Sequence, residues 1–274
     1  MKPAPFDYNK PASLSLAVSQ LSETSGSGKI IAGGQSLGPM LNLRLARPNS
    51  VFDIRQLEEL RGIQSDADSV SYGAAIRHVD FEDGLVEDAT QGMMRHVAGG
   101  IAHRAVRNRG TIGGSLAHAD PAADWVNTTV ALNATYTVLG ATGRRTIAAP
   151  DFFLGAFTTS LNDDEVLEKI TIPRLSDEAA WGYYKICRKK GEFAEAIGIL
   201  VVDPIRGYAR AVMGAVDAPP IVLDDLARSI AEAGTAKDIN LDQVVQQALP
   251  DANPISLRHH CVALQRAIQQ VYPS

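Results

Sequence analysis

The sequence predicts an α+β protein whose character changes near residue 176. Before that point, short β-rich runs alternate with amphipathic stretches, which is the order of small α/β units. After Pro173, three runs of β-branched and aromatic residues follow one another, and three stretches of helical periodicity come after them. We therefore expect two α/β subdomains, about 1–57 and 58–176, and a C-terminal domain, 177–274, made of a three-stranded antiparallel sheet with helices.

The individual elements follow from hydrophobic periodicity and from the positions of glycine and proline. Residues 13–21 begin with a serine and carry leucine and valine at helical spacing, so they predict an amphipathic helix. The other elements expected before residue 176 are strands at 29–32, 51–54, 69–74, 135–139 and 165–173 and helical segments at 39–46, 90–105 and 123–134. Those expected after it are strands at 181–189, 196–203 and 207–216 and helices at 223–233, 241–249 and 255–271.

Composition and charge are those of an ordinary globular protein. The 274 residues are 45% hydrophobic and 21% charged, which suffices for a sizeable buried core. A net charge of −5 argues against nucleic acid as a partner, and no apolar run reaches the roughly 20 residues of a membrane span. The start, MKPAPFDYNKPAS, lacks the apolar core of a signal peptide. Cys187 and Cys261 form no CxxC pair, so we expect no metal or iron–sulfur site on this chain and a cytoplasmic location.

Two glycine-rich segments, AGGQSLG at 32–38 and TIGGS at 111–115, are the candidate binding loops. Paired glycines permit positive φ and lack the Cβ that would keep a ligand away, so successive N–H groups can surround an anion. The hydroxyls of Ser36, Thr111 and Ser115 can add donors to phosphate oxygens. One glycine pair is more often a tight turn, but two pairs flanked by hydroxyls favour a diphosphate. Gln35 replaces the second glycine of a GxGxxG motif, which argues against a Rossmann loop.

The segments KIIAGGQSLGPMLNLRLARPNSVFDI and RNRGTIGGSLAHADPAAD together resemble the FAD-binding medium subunit of the molybdenum hydroxylases. The resemblance covers almost the whole chain and includes VLEKITIP, YYKICRKKGEFA and ISLRHHCVALQRAI. It implies that the two α/β subdomains clamp FAD. It also implies a large partner chain with molybdopterin and a small partner chain with [2Fe–2S] clusters, assembled as a dimer of heterotrimers.

The resemblance further implies which residues meet FAD. The first diphosphate loop would comprise Ala32, Gly33, Gly34, Gln35, Ser36 and Leu37, with Lys29 and Ile31 on the strand before it. The second would comprise Thr111, Ile112, Gly113, Gly114 and Ser115, with Ala117, His118 and Asp120 after it. Family members more often have Asn at the position of Ser115. Near the sugar and the rings the implied contacts are Asp124 on ribityl or ribose hydroxyls, apolar Ile101 and Leu167, Lys185 at the flavin pyrimidine edge and Phe193 near the flavin.

Several of these residues have an ordinary structural interpretation that the sequence leaves open. Asp124 could be a carboxylate at a helix start, and Asp120 could shape a turn. His118 could be a hydrogen-bonding loop residue. Lys185 could point to solvent from its strand, and Phe193 could belong to the core.

The function expected from the sequence is electron transfer, with no catalytic residue on this chain. A large partner would hydroxylate the substrate, and electrons would pass through the clusters of the small partner to FAD here. NAD⁺, oxygen or a quinone would then accept them. Two rivals remain, a free-standing FAD oxidase or dehydrogenase and a non-enzymatic nucleotide-binding scaffold. A visible absorption spectrum would distinguish the scaffold from either flavoprotein. Co-purification with a molybdenum chain would distinguish the electron-transfer subunit from the free-standing enzyme.

Overall fold

The computed structural model describes residues 2–273, in which fourteen strands form four sheets and eleven α-helices surround them. The strands are β1 Asp7–Asn9, β2 Gly28–Ile31, β3 Ser50–Asp53, β4 Ile63–Ser65, β5 Ser69–Gly73, β6 Thr135–Gly140, β7 Gly143–Ala148, β8 Phe153–Gly155, β9 Thr158–Thr159, β10 Val166–Pro173, β11 Ala180–Ile186, β12 Ala196–Asp203, β13 Tyr208–Gly214 and β14 Ile221–Val222. The helices are α1 Leu14–Ser22, α2 Leu37–Asn42, α3 His78–Glu82, α4 Met93–Gly100, α5 Arg104–Arg107, α6 Ile112–His118, α7 Asp124–Ala131, α8 Ala149–Phe152, α9 Asp224–Ala233, α10 Leu241–Ala248 and α11 Pro254–Val271.

The N-terminal part is a parallel sheet of three strands in the order β1-β3-β2. Ser13 is the N-cap of helix α1, and its hydroxyl accepts a hydrogen bond from the N–H of Leu16, which satisfies one of the unpaired donors of the first turn. The apolar stripe of α1, including Leu14, Val18 and Leu21, packs on this sheet. The first candidate loop leaves the end of β2 and leads into α2.

The second part is an antiparallel sheet of five strands in the order β4-β5-β10-β6-β7. Its central strand β10 pairs through Ile170 with Tyr72 of β5 on one side and with Tyr136 of β6 on the other. These three side chains are completely buried, because they lie on the face of the sheet that packs in the main apolar cluster. Leu139 and Val166 of this sheet join the core beneath α1, so the two N-terminal parts are packed together.

The helix predicted over residues 90–105 is instead two short helices, α4 and α5. Ala102 between them has a φ of 43°, which a continuous helix does not allow. The carbonyls of Ile101 and Ala102 both accept hydrogen bonds from Arg107 Nη1, at 2.8 and 3.0 Å. This guanidinium, itself buried, therefore stabilises the break.

The C-terminal part is an antiparallel sheet in the order β11-β12-β13-β14 with α9, α10 and α11 packed on it. The three long strands match the predicted runs, and the two-residue β14 extends the sheet to four. Every residue of β12 is buried, because the sheet is covered on both faces. No helix among residues 2–273 combines the length and the apolar character needed to cross a membrane.

Helix α7 lies between the second and third parts, and all eight of its residues are buried. At its C-terminal end, the carbonyl of Ala131 accepts from the Tyr208 hydroxyl and that of Val130 from Arg210 Nη1. One apolar cluster runs from β5 and α4 through α7 to Ile197 and Val212 of the C-terminal sheet. The division near residue 176 stays a prediction, and the parts on either side of it share a core.

Candidate functional site

The two glycine loops are far apart in the sequence but lie against each other in the structure. A Cβ on Gly33 would stand 2.2 Å from the carbonyl oxygen of Arg109 and 2.7 Å from the Cα of Gly110. On the other side, a Cβ on Gly114 would lie 3.7 Å from the Cβ of Ala32. This close approach of two backbones requires glycine at position 33, and it places the two loops side by side.

The first loop presents a row of unpaired backbone donors. Within residues 2–273, the N–H groups of Gly33, Gly34, Gln35 and Ser36 donate to no protein acceptor. Gly34 has a φ of 71°, and the Gln35 side chain closes the loop by donating to the carbonyl of Gly33 at 3.1 Å. The exposed Ser36 precedes α2, and its hydroxyl caps no N–H of that helix. Consecutive N–H groups in such a turn form a concave anion site.

The second loop differs, because the N–H groups of its residues 112–115 already have acceptors. Ile112 and Gly113 donate to the carbonyls of Ile76 and Ala74, and Ser115 donates to that of Thr111. The segment is the first turn of α6, with Thr111 as its N-cap accepting from the Gly114 N–H at 3.1 Å. Its glycines therefore serve close packing, and its contribution to a phosphate site would come from hydroxyl groups.

A second group of predicted residues meets at the start of α7. Lys185 Nζ lies 2.7 Å from Asp124 Oδ1 and 2.9 Å from the carbonyl oxygen of Gly100. The side chains of Lys185 and Asp124 are 11% and 8% exposed, so the lysine does not point to solvent. Asp124 is indeed the first residue of a helix, yet its carboxylate is paired with a residue 61 positions further along the chain. The attraction between the two charges is stronger here than at the surface, and removing either partner would leave an uncompensated buried charge.

Ile101 lies beside this ion pair. Lys185 holds the carbonyl of Gly100, and Arg107 holds that of Ile101, so the segment is fixed from two sides. Arg107 is in turn held by a two-pronged contact with Glu82, at 2.7 and 2.9 Å. The half-buried Ile101 side chain packs on the main apolar cluster and leaves part of its surface open.

The remaining predicted residues are distributed more widely. His118 is half-buried with its ring 5.2 Å from that of Phe157, and burial lowers its pKa. Asp120 accepts from the N–H of Ala122 and so shapes the turn before α7. Lys29 and Ala117 are exposed, whereas Ile31 and Leu37 are half-buried beside the first loop. The Leu167 side chain is 4% exposed within the core, and Phe193, on the loop after β11, is 71% exposed and thus not a core residue.

Two buried residues of this region were not predicted. The Tyr183 hydroxyl donates to Asp124 Oδ1 at 2.5 Å. Tyr183 lies two residues before Lys185 on the same strand, so the sequence could have placed both side chains on one face. His78 accepts from Trp125 Nε1 at 3.0 Å and packs against Gly110, where a Cβ would stand 2.6 Å from its Nε2. No pattern in the sequence predicts that His78 lies behind the contact between the two loops.

These residues fit FAD by the chemistry of their donors and acceptors. The unpaired N–H groups of the first loop suit a diphosphate. Asp124 Oδ2 pairs with no atom of residues 2–273 and is available to accept from a sugar hydroxyl. A cavity of about 490 Å³ lies elsewhere, between β12, β13 and α9, and contains none of the predicted residues.

Comparisons with known proteins agree with this chemistry. The family described as FAD binding domain in molybdopterin dehydrogenase matches residues 4–175. The carbon monoxide dehydrogenase medium chain of Hydrogenophaga pseudoflava is 38% identical over 196 residues, which is 72% of this chain and 68% of that one. The caffeine dehydrogenase subunit beta of Pseudomonas sp. strain CBB1 is 33% identical over 246 residues, 88% of this chain and 83% of that one. In a solved structure of Hydrogenophaga pseudoflava carbon monoxide dehydrogenase, one chain superposes with a TM-score of 0.88 at 30% identity, covering 99% of each chain.

The protein therefore belongs to the family of FAD-binding medium chains of the molybdenum hydroxylases. It is an oxidoreductase chain, and its cofactor is FAD. The predicted α+β fold class is confirmed, with the short strand β14 as an addition to the C-terminal sheet.

Proposed function

We propose that this chain is the FAD-carrying electron-transfer subunit of a heteromeric molybdenum hydroxylase. In this function it takes electrons from [2Fe–2S] clusters on a small partner chain and passes them to an external acceptor. The proposal is carried by the row of unpaired N–H groups in the first glycine loop, together with the separate, buried Asp124–Lys185 ion pair. The glycine loop suits the diphosphate of FAD, and the Asp124–Lys185 pair suits its sugar and flavin.

The residues of the chain would act on FAD by binding and by charge. The N–H groups of Gly33 to Ser36 would hold the diphosphate, and the hydroxyls of Ser36, Thr111 and Ser115 would add donors. Asp124 Oδ2 would accept from a hydroxyl of the sugar portion, while Lys185 places positive charge nearby. FAD supplies the redox chemistry when bound, and the chain supplies its orientation and electrostatic surroundings.

The proposal of partner chains is based on the names of the relatives and not on a feature of this chain. Proteins described as medium chain and subunit beta belong to assemblies of several chains, which supports a large molybdopterin chain and a small iron–sulfur chain here. The dimer of heterotrimers, the cytoplasmic location, and NAD⁺, oxygen or a quinone as acceptor are parts of this proposal. The relatives act on substrates as different as carbon monoxide and caffeine, in keeping with a substrate pocket on another chain.

The experiment compares the isolated chain with the complex purified from its native source. The isolated chain is expected to show a flavin spectrum, to release FAD and to oxidise no organic substrate. Reduced small partner chain, added without oxygen, is expected to bleach the flavin absorption. Turnover of an organic substrate by the isolated chain without molybdenum would contradict the proposal and favour a free-standing oxidase. A flavin that the reduced partner leaves oxidised would contradict the electron path.

A further inference from the structure

The carboxylate of Asp124 is held at one oxygen only. Its Oδ1 accepts from the Tyr183 hydroxyl at 2.5 Å and from Lys185 Nζ at 2.7 Å. Its Oδ2 has no partner among residues 2–273. Two donors on one oxygen fix the rotation of the carboxylate, which a lysine alone, with its flexible stem, would not do.

Both donors come from the same face of strand β11. Tyr183 and Lys185 are two residues apart, so their side chains point to the same side of the sheet, toward α7. They lie beyond residue 175, where the match to the FAD-binding family ends. The C-terminal sheet thus supplies the contacts that orient a carboxylate of the FAD-binding part.

Tyr183 is unusually well fixed for this purpose. Its backbone N–H and carbonyl are both bonded to the side-chain amide of Gln270 in α11, at 2.9 and 3.2 Å. Its ring is 5% exposed, packs in the main core cluster and meets the edge of His96 at 6.2 Å between centroids. Neither ring nor backbone can move without repacking this core.

The Tyr183 hydroxyl can act only as a donor toward Asp124. Burial, together with the charge of Asp124 and its hydrogen bond, raises the pKa of Tyr183 well above its usual value. The phenol therefore keeps its proton and is the donor in this hydrogen bond.

We propose that Tyr183 is a positioning residue of the FAD site, whose hydroxyl fixes Asp124 so that Oδ2 faces the cofactor as a hydrogen-bond acceptor. This inference rests on the proposed function only in that FAD is the ligand. Tyr183 would act through Asp124, because its hydroxyl is bonded to that carboxylate and its side chain is buried.

The test is a double-mutant cycle on the full-length chain, read out as the Kd for FAD added to flavin-free protein. Tyr183→Phe removes one hydroxyl and is expected to raise the Kd about tenfold, because a hydrogen bond to a charged group is lost. Asp124→Asn is expected to weaken FAD at least as much. In the Asp124→Asn background, Tyr183→Phe is expected to change the Kd less than twofold, because the tyrosine acts through the carboxylate.

The matched control is Tyr136→Phe, which removes a fully buried hydroxyl bonded to Thr129 in the core of the second part. It is expected to lower the melting temperature about as much as Tyr183→Phe does while leaving the Kd for FAD unchanged. An unchanged Kd in Tyr183→Phe would overturn the inference, as would equal and additive effects of the two substitutions in the cycle. The titration involves no electron transfer, so its result is separate from that of the partner experiment. A wild-type chain that binds no FAD would overturn both.

Discussion

Lys185 and Asp124 form a buried ion pair, 2.7 Å between Nζ and Oδ1, that joins a strand of the C-terminal sheet to the first residue of α7. The carboxylate balances the ammonium charge, and the Tyr183 hydroxyl and the Gly100 carbonyl complete the cluster. The lysine is therefore a fixed charge inside the protein. A ligand bound beside α7 meets the field of this ion pair with little screening by water, and loss of the lysine would leave a net negative charge there.

The first prediction concerns the potential of the flavin. Lys185→Met removes the positive charge and leaves Asp124 with a single hydrogen-bond donor, so negative charge on the reduced flavin becomes less favourable. We expect the two-electron midpoint potential to fall by a few tens of millivolts, since about 1.4 kcal/mol corresponds to about 30 mV. Spectroelectrochemical titration measures it. Lys237→Met, which removes an exposed lysine before α10, is the control. Equal potentials in both variants would mean that Lys185 lies too far from the flavin to act on it.

The second prediction concerns the contact between the glycine loops. Gly33→Ala places a Cβ 2.2 Å from the carbonyl oxygen of Arg109, so the two loops must separate. We expect loss of most bound FAD and a decrease of about 1–3 kcal/mol in the free energy of unfolding. Flavin content per chain and urea unfolding measure these. Gly62→Ala is the control, because a Cβ there meets nothing within 4 Å. Full flavin content in Gly33→Ala would show that FAD binding does not need the loops in contact.

The third prediction concerns the N-cap of α6. Thr111→Val keeps the shape of the side chain but leaves the N–H of Gly114 without its acceptor. We expect the free energy of unfolding to fall by about 1 kcal/mol and FAD to bind several-fold more weakly. Thr111→Ser keeps the hydroxyl and should restore both. FAD affinity that survives in Thr111→Val would limit this residue to capping the helix.

The fourth prediction concerns acid stability. Burial, with the charge of Arg107 nearby, lowers the pKa of His78 to about 3. Because the unfolded chain takes up this proton near pH 6.5 and the folded chain does not, stability is complete above pH 6.5 and falls as the pH decreases. The expected loss is about 2 kcal/mol by pH 5. His78→Asn offers Trp125 an acceptor without a titrating group, and its unfolding free energy should vary less between pH 7 and pH 5. Parallel curves for the two proteins would contradict this.

Much of the fold was predictable because its signals are local. Helix α1, the central strand β10 and the three long C-terminal strands follow from periodicity alone. Strand β1 was missed because three residues, DYN, carry no alternation, and β14 has only two. The break at Ala102 depends on a guanidinium from Arg107, which a helical pattern does not reveal.

The site was predictable in its residue types and less so in their roles. Both glycine pairs favour a phosphate site, but the N–H groups of Gly33 and Gly34 are unpaired within residues 2–273, whereas those of Ile112 and Gly113 are bonded to Ile76 and Ala74 of a distant segment. The partnership of Lys185 with Asp124 spans 61 positions and depends on how α7 packs against β11. Such tertiary pairing has no local signature in the sequence.

The complete burial of α7 sets a limit on how the chain can be recombined. It packs against α4, α6 and α8 of the second part and against β12 and β13 of the C-terminal sheet, and its last carbonyls are held by Tyr208 and Arg210. A chimera that joins residues 1–176 to the C-terminal part of a relative would meet mismatched side chains along the whole helix. The two halves of this chain are therefore expected to have evolved together, and exchange between medium chains should succeed only for whole chains.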